Sequence, residues 1–134
     1  MKNDYLKGWL IKANTDIKTV SILIEQSGDL LTDIICFHSQ QAIEKFLKSF
    51  LISKGVDPSY SHNLEYVQDL CIGIDSDFNK FNFGALTDYS VTIRYGNDFH
   101  IPSDKEASES YQLALEVKKI VLEKLNITES DLIL

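Results

Sequence analysis

The sequence predicts an all-α protein, an up-and-down bundle of four to five helices, on three observations. Apolar residues recur at helical spacing through several long windows. No window alternates apolar and polar side chains as a half-buried strand does. Only two prolines and six glycines interrupt the 134 residues, so long regular elements run with few breaks. That length suits one domain around one core. The domain is taken as residues 1–134, with its core over about 4–125 and a C-terminal tail at 126–134.

The first helix is expected over residues 4–26, where Leu6, Trp9, Leu10, Ala13, Ile17, Val20 and Ile24 form one apolar stripe. Ser27, Gly28 and Asp29 end it. A second helix starts near Leu30 or Thr32 and runs to Lys54, closed by Gly55 with Pro58 beyond. It is apolar over more than half its circumference, as a central helix touched on several sides would be. A third helix is expected from about Asn63 to Ile72, facing Leu64, Val67 and Cys71 inward, followed by a loop with Gly73 and Asp75. The fourth is placed at about Asp77 to Tyr95, striped by Phe78, Ala85, Leu86, Tyr89 and Ile93. Ser103 and Glu106 have capping-box spacing and open a fifth helix carrying Ala107, Tyr111, Ala114, Val121, Leu122 and Leu125. The tail ITESDLIL reads either as a short extra turn or as an end that packs on a partner. Trp9 and the phenylalanines sit on inner stripes and are expected in the core.

A net charge of −7 argues against broad, non-specific duplex binding, which needs a surplus of Lys and Arg. The charge is uneven, with lysines gathered early and carboxylates after Asp98, so a nucleic-acid ligand would meet the N-terminal half or a cleft. Cys36 and Cys71 lack any CxxC or metal-ligand spacing and read as buried thiols of a reducing compartment. No segment resembles a signal peptide or a membrane span, so a cytoplasmic protein without membrane contact is expected. His38, His62 and His100 lack the tight spacing of a zinc site, and the chain has no glycine-rich phosphate loop. Neither a metal nor a cofactor is expected.

The second helix carries an oddity in CFHSQQAIEKFLKSFL. His38, Gln41 and Lys45 fall on one helical face, flanked by Glu44 and Lys48, while Ser39 and Gln40 project from the apolar side. Burying an unpaired amide costs roughly 1–3 kcal/mol, so a central helix would normally place aliphatic residues there. Two readings follow. The three residues form a solvated stripe, with Gln40 bonded to a neighbouring helix's backbone, or they line a polar groove that meets a ligand or a second subunit.

FHSQQAIEKFLKSFL at residues 37–51, SHNL at 61–64 and Arg94-Tyr95 together resemble a HEPN domain over roughly residues 5–125. The resemblance implies a bundle of four to five helices, frequent homodimers, and pairing in prokaryotes with a small nucleotidyltransferase. It also implies, for many members, a metal-independent ribonuclease, often a toxin, that uses an arginine and a histidine a few residues apart. Arg94 and His100, with five residues between them, match that spacing. Two positions depart from the pattern. Tyr95 follows the arginine where active members usually carry a polar residue, and Ile101-Pro102 follow the histidine where some toxins carry a modified tyrosine.

The chemistry of the pair stands beside the resemblance. Metal-free RNA cleavage needs a base for the 2′-hydroxyl, an acid for the leaving oxygen and positive charge on the phosphate. A histidine exchanges protons at cellular pH. An arginine holds a permanent charge on a planar fork that matches phosphate oxygens. One of each is a thin set, whereas two copies facing across a dimer would supply two of each. Without chemistry, the same arginine would be placed well by the helix macrodipole alone. The activity that the resemblance implies is a metal-independent endoribonuclease, the toxin of a two-gene pair. The alternative is a non-catalytic module that binds a nucleotide or a nucleotidyltransferase partner.

Overall fold

The computed structural model describes residues 4–26, 31–58, 61, 63–84, 86 and 101–133. Among them are four α-helices and two short 3₁₀ turns: α1 (Asp4–Gln26), α2 (Thr32–Ser53), α3 (Leu64–Ile74), a turn at Ser76–Lys80, α4 (Asp104–Leu125) and a turn at Glu129–Leu132. They form an all-α up-and-down bundle. No described helix is long and apolar enough to cross a membrane.

α2 is the centre, packed along α1 on one side and α4 on another, with α3 against its C-terminal half. Its fully buried Ile35, Ile43, Phe46, Leu47 and Leu51 explain why more than half its circumference is apolar. α1 brings Leu6, Leu10, Ala13, Ile17 and Val20 to the same core, and α4 brings Ala107, Ala114, Val117 and Val121. α1 and α2 run antiparallel: Asp16 pairs with His38 and Lys45, whereas Trp9, two turns earlier, lies beside Lys48.

The helix ends follow local chemistry. At the end of α2, Gly55 takes φ +74, a conformation open to glycine at little cost. Its N–H bonds Ile52 O at 3.0 Å and the Val56 N–H bonds Leu51 O at 3.0 Å, the Schellman pattern. Asn63 caps α3 by accepting from the Tyr66 N–H. At α4, Ser103 Oγ accepts the Glu106 N–H and Glu106 Oε1 accepts the Ser103 N–H, each at 3.1 Å, completing the capping box. Asn126 closes α4 at φ 56. Leu132, in the tail, is buried in the same core.

Two expectations about residues 73–84 fail. Gly73 lies inside α3, which runs on to Ile74. The helix expected from Asp77 is instead a five-residue 3₁₀ turn, with Phe81 in extended conformation after it. Asp75 imposes the break, because its side chain accepts the Asp77 N–H and caps the turn. Gln68 then holds the chain beyond: its buried amide donates to Phe78 O and Phe81 O, both at 2.8 Å. Both carbonyls are thereby satisfied by a side chain instead of a helix ladder. The remainder of the expected fourth helix, residue 85 and residues 87–95, lies outside the described residues.

Candidate functional site

The polar face of α2 divides into two clusters. In the first, Asp16 of α1 reaches across to α2 and meets two nitrogen-bearing side chains. Its Oδ2 takes Lys45 Nζ at 2.6 Å and its Oδ1 takes His38 Nδ1 at 3.0 Å. An ionised carboxylate only accepts, so His38 carries its proton on Nδ1. The Asp16 side chain is 10% exposed, while His38 and Lys45 keep 30% and 25% of theirs in solvent. The carboxylate is therefore the buried anchor, and the imidazole and the ammonium lie at the surface around it.

The second cluster is deeper. Lys48 Nζ meets Glu44 Oε2 at 3.1 Å, an i,i+4 ion pair whose side chains are each 4% exposed. Gln40 donates to Glu44 Oε1 at 3.5 Å, and Gln41 donates to Gln40 Oε1 at 3.0 Å. Among the described residues, Gln40 thus bonds side chains of its own helix, not the backbone of a neighbour. The Lys48 ammonium also sits 6.0 Å from the centre of the Trp9 ring. Ser39 Oγ is buried with no hydrogen-bond partner among the described residues.

Of the three candidate binding residues on α2, the fold joins His38 and Lys45 through Asp16, and it ties Gln41 into the Gln40–Glu44–Lys48 cluster. The candidate catalytic residues Arg94 and His100 lie outside the described residues, as does His62. Sequence reasoning missed Asp16, and a signal for it existed. Asp16 falls three residues after Ala13 and four before Val20, on the buried stripe of α1, where a carboxylate requires a partner. It also misplaced Trp9, which is half-buried at the surface of α1, not part of the core.

A third polar link crosses the bundle. Asn14, also buried, accepts from Lys118 Nζ of α4 at 2.7 Å, and Lys118 pairs with Glu129 of the tail. Among the described residues, no group of three or more His, Cys, Asp or Glu side chains could hold a metal ion. Both cysteines are buried free thiols. Desolvation pushes the Cys71 thiol up to about 12 and raises Cys36, against a hydrogen bond from Ser110.

A protein-family model described as HEPN domain matches residues 6–125, most of the chain. No curated protein and no solved structure matches it.

Proposed function

The chain belongs to the HEPN domain family, and on that premise we propose that it is a metal-independent endoribonuclease, the toxin of a two-gene pair whose other product is a small nucleotidyltransferase. A nuclease or nucleotide-binding role is what the family supports in general. The observation that carries the narrower reading is that the matched region spans both the polar face of α2 and the Arg94–His100 stretch, whose spacing is that of the family's ribonucleases. Arg94 is the only arginine in the chain, so its guanidinium is the one group able to hold a phosphate by a two-pronged contact.

In this reading the His100 imidazole takes the proton of a ribose 2′-hydroxyl, whose oxygen attacks the adjacent phosphorus. The 5′-oxygen of the next nucleotide leaves and is protonated by a second imidazole. Arg94 neutralises the charge that builds on the phosphate oxygens. Positioned acid–base help of this kind is worth roughly 10²–10⁴-fold in rate. One chain holds too few such groups, so a homodimer in the cytoplasm is the proposed working form.

The test is RNA cleavage by the purified chain in EDTA. The wild type should cut, and Arg94→Ala and His100→Ala should each lose cutting while far-UV circular dichroism stays unchanged. Intact RNA after incubation with the wild type, over several RNA classes, sinks the reading. The Asp16–His38–Lys45 arrangement favours a second one, a non-catalytic module that binds a nucleotide or the nucleotidyltransferase. Calorimetry with ATP and a pull-down with the adjacent gene product test it, and two negative results reject it.

A further inference from the structure

His38 stands inside α2, and its Nδ1–H donates to Asp16 Oδ1 at 3.0 Å. The Phe37 ring meets the imidazole edge to face, 5.3 Å away and at 79°. The imidazole is thus held by a bond at one nitrogen and by an aromatic contact. Its other nitrogen, Nε2, has no hydrogen-bond partner among the described residues, and 30% of the side chain is exposed. A neutral imidazole protonated at Nδ1 carries its lone pair on Nε2. With Nδ1 bound to a carboxylate that is itself only 10% exposed, the lone pair on Nε2 is the free, oriented one.

The surroundings select the chemistry. A new bond at Nε2 puts positive charge on the ring, and a carboxylate on Nδ1–H stabilises that charge. Asp16 is largely out of water, so its effect is screened less than a surface carboxylate's. The adjacent hydroxyl, Ser39, is fully buried, so the imidazole itself is the nucleophile. Lys45 gives one of its three ammonium hydrogens to Asp16 Oδ2 at 2.6 Å, and the other two have no partner among the described residues. Anionic oxygens arriving at Nε2 therefore meet a cation held on the same carboxylate. An acyl group would instead need free N–H donors for its tetrahedral oxyanion. The backbone N–H groups of a helix interior are already bonded within the helix.

We propose that His38 is a phosphoryl-acceptor site, taking a phosphoryl group on Nε2 from a small donor, an acyl phosphate or a phosphoramidate. The Nε2 lone pair forms the N–P bond, and the bond from phosphorus to the donor's oxygen or nitrogen breaks. Its electron pair leaves with that atom, as a carboxylate from the acyl phosphate or as ammonia from the protonated nitrogen of the phosphoramidate. The ring, still protonated on Nδ1, gains a positive charge that Asp16 balances until the Nδ1 proton passes to solvent. Lys45 supplies the cation for the phosphoryl oxygens. The modification adds a strongly negative group to the polar face of α2. It uses neither Arg94 nor His100 and stands apart from the ribonuclease reading.

The test treats the full chain with potassium phosphoramidate at mildly alkaline pH, once folded and once in urea. Peptide mass spectrometry and phosphorus NMR follow the modification of each histidine. The dyad should make His38 react about tenfold faster folded than in urea, the low end of the roughly 10–100-fold that an outer partner of a ligating imidazole is worth. The product should be the Nε2 isomer, and Asp16→Asn should remove most of the gain. Lys45→Met should slow the reaction with phosphoramidate and leave that with diethylpyrocarbonate, a neutral reagent for the same nitrogen, unchanged. Circular dichroism checks that each variant is folded, and the wild-type comparison decides by itself where one is not. A His38 that reacts no faster folded than in urea is a covered structural histidine, which overturns the proposal. Phosphorylation on Nδ1, or an undiminished rate in folded Asp16→Asn, overturns it too. Equal slowing of both reagents in folded Lys45→Met overturns the choice of a phosphoryl group.

Discussion

Asp16 Oδ2 and Lys45 Nζ lie 2.6 Å apart across the α1–α2 seam, and the carboxylate side chain is 10% exposed. Two helices are pinned in one register by a charge that is itself out of water. The other oxygen of the same carboxylate is taken by His38, so one buried carboxylate positions both the imidazole and the ammonium of the candidate face.

Asp16→Asn should destabilise the bundle by about 1.5–3 kcal/mol, the range for hydrogen bonds to charged groups. Urea titration measures it. A double-mutant cycle with Lys45→Met should give a coupling of about 0.5–3 kcal/mol, as neighbours in one network do. Additive single effects would show that the pair does not hold the helices together.

Glu44 and Lys48 behave differently because both are buried. Lys48→Met alone should cost about 3–5 kcal/mol, since it leaves a buried carboxylate without that counter-ion. Combining it with Glu44→Gln should recover much of the loss. Chemical denaturation of the two single variants and the double variant decides this.

Ser103→Ala removes one half of the α4 capping box and should cost about 1 kcal/mol. Ser103→Asp should be nearly neutral, because aspartate accepts the same N–H. The measurement is the denaturation midpoint of each variant.

Asp75 contributes a pH dependence whose sign is fixed by its surroundings. A hydrogen bond from Lys124, then one from the Asp77 N–H, hold its carboxyl below the ordinary 3.8. The unfolded chain therefore binds the proton first. Stability from this group is present above about pH 4 and fades as the pH falls through the folded value. Asp75→Asn should lower stability at pH 7 and lower it less at an acid pH below the folded value. Equal losses at both pH values would contradict the assignment.

The two thiols should be silent in the native state. With Cys71 at about 12, only about one part in ten thousand is thiolate at pH 8. Iodoacetamide should label Cys36 and Cys71 at the rate of unfolding and completely in urea. Fast labelling of the folded chain would show that either thiol is reached by solvent.

Several elements were legible before any coordinates because their causes are local. The stripe from Leu6 to Val20 places α1, Gly55 stops α2, and Ser103 with Glu106 starts α4. Each needs only residues within a turn or two, and spacing states them completely. The helix expected from Asp77 failed for a reason that is also short-range in part. Asp75 caps a 3₁₀ turn, but the deciding bonds come from Gln68, on another element, and the Phe78–Phe81 spacing could not reveal them.

The candidate site was half legible. CFHSQQAIEKFLKSFL marks α2 as unusual, because so many polar groups on a central helix need partners. The sequence by itself thus determined that this is an all-α bundle, where α1 ends, α2 stops and α4 starts, and that α2 carries a polar face in a buried setting. Tertiary structure alone decided which partners that face meets. It made Asp16 the shared anchor of His38 and Lys45, buried the Glu44–Lys48 pair, and left Trp9 half-buried at the surface of α1. The physical reason is that helix periodicity assigns each side chain a direction, whereas an ion pair or a groove depends on the register of two helices. That register is set by packing summed over the whole length of α1 and α2.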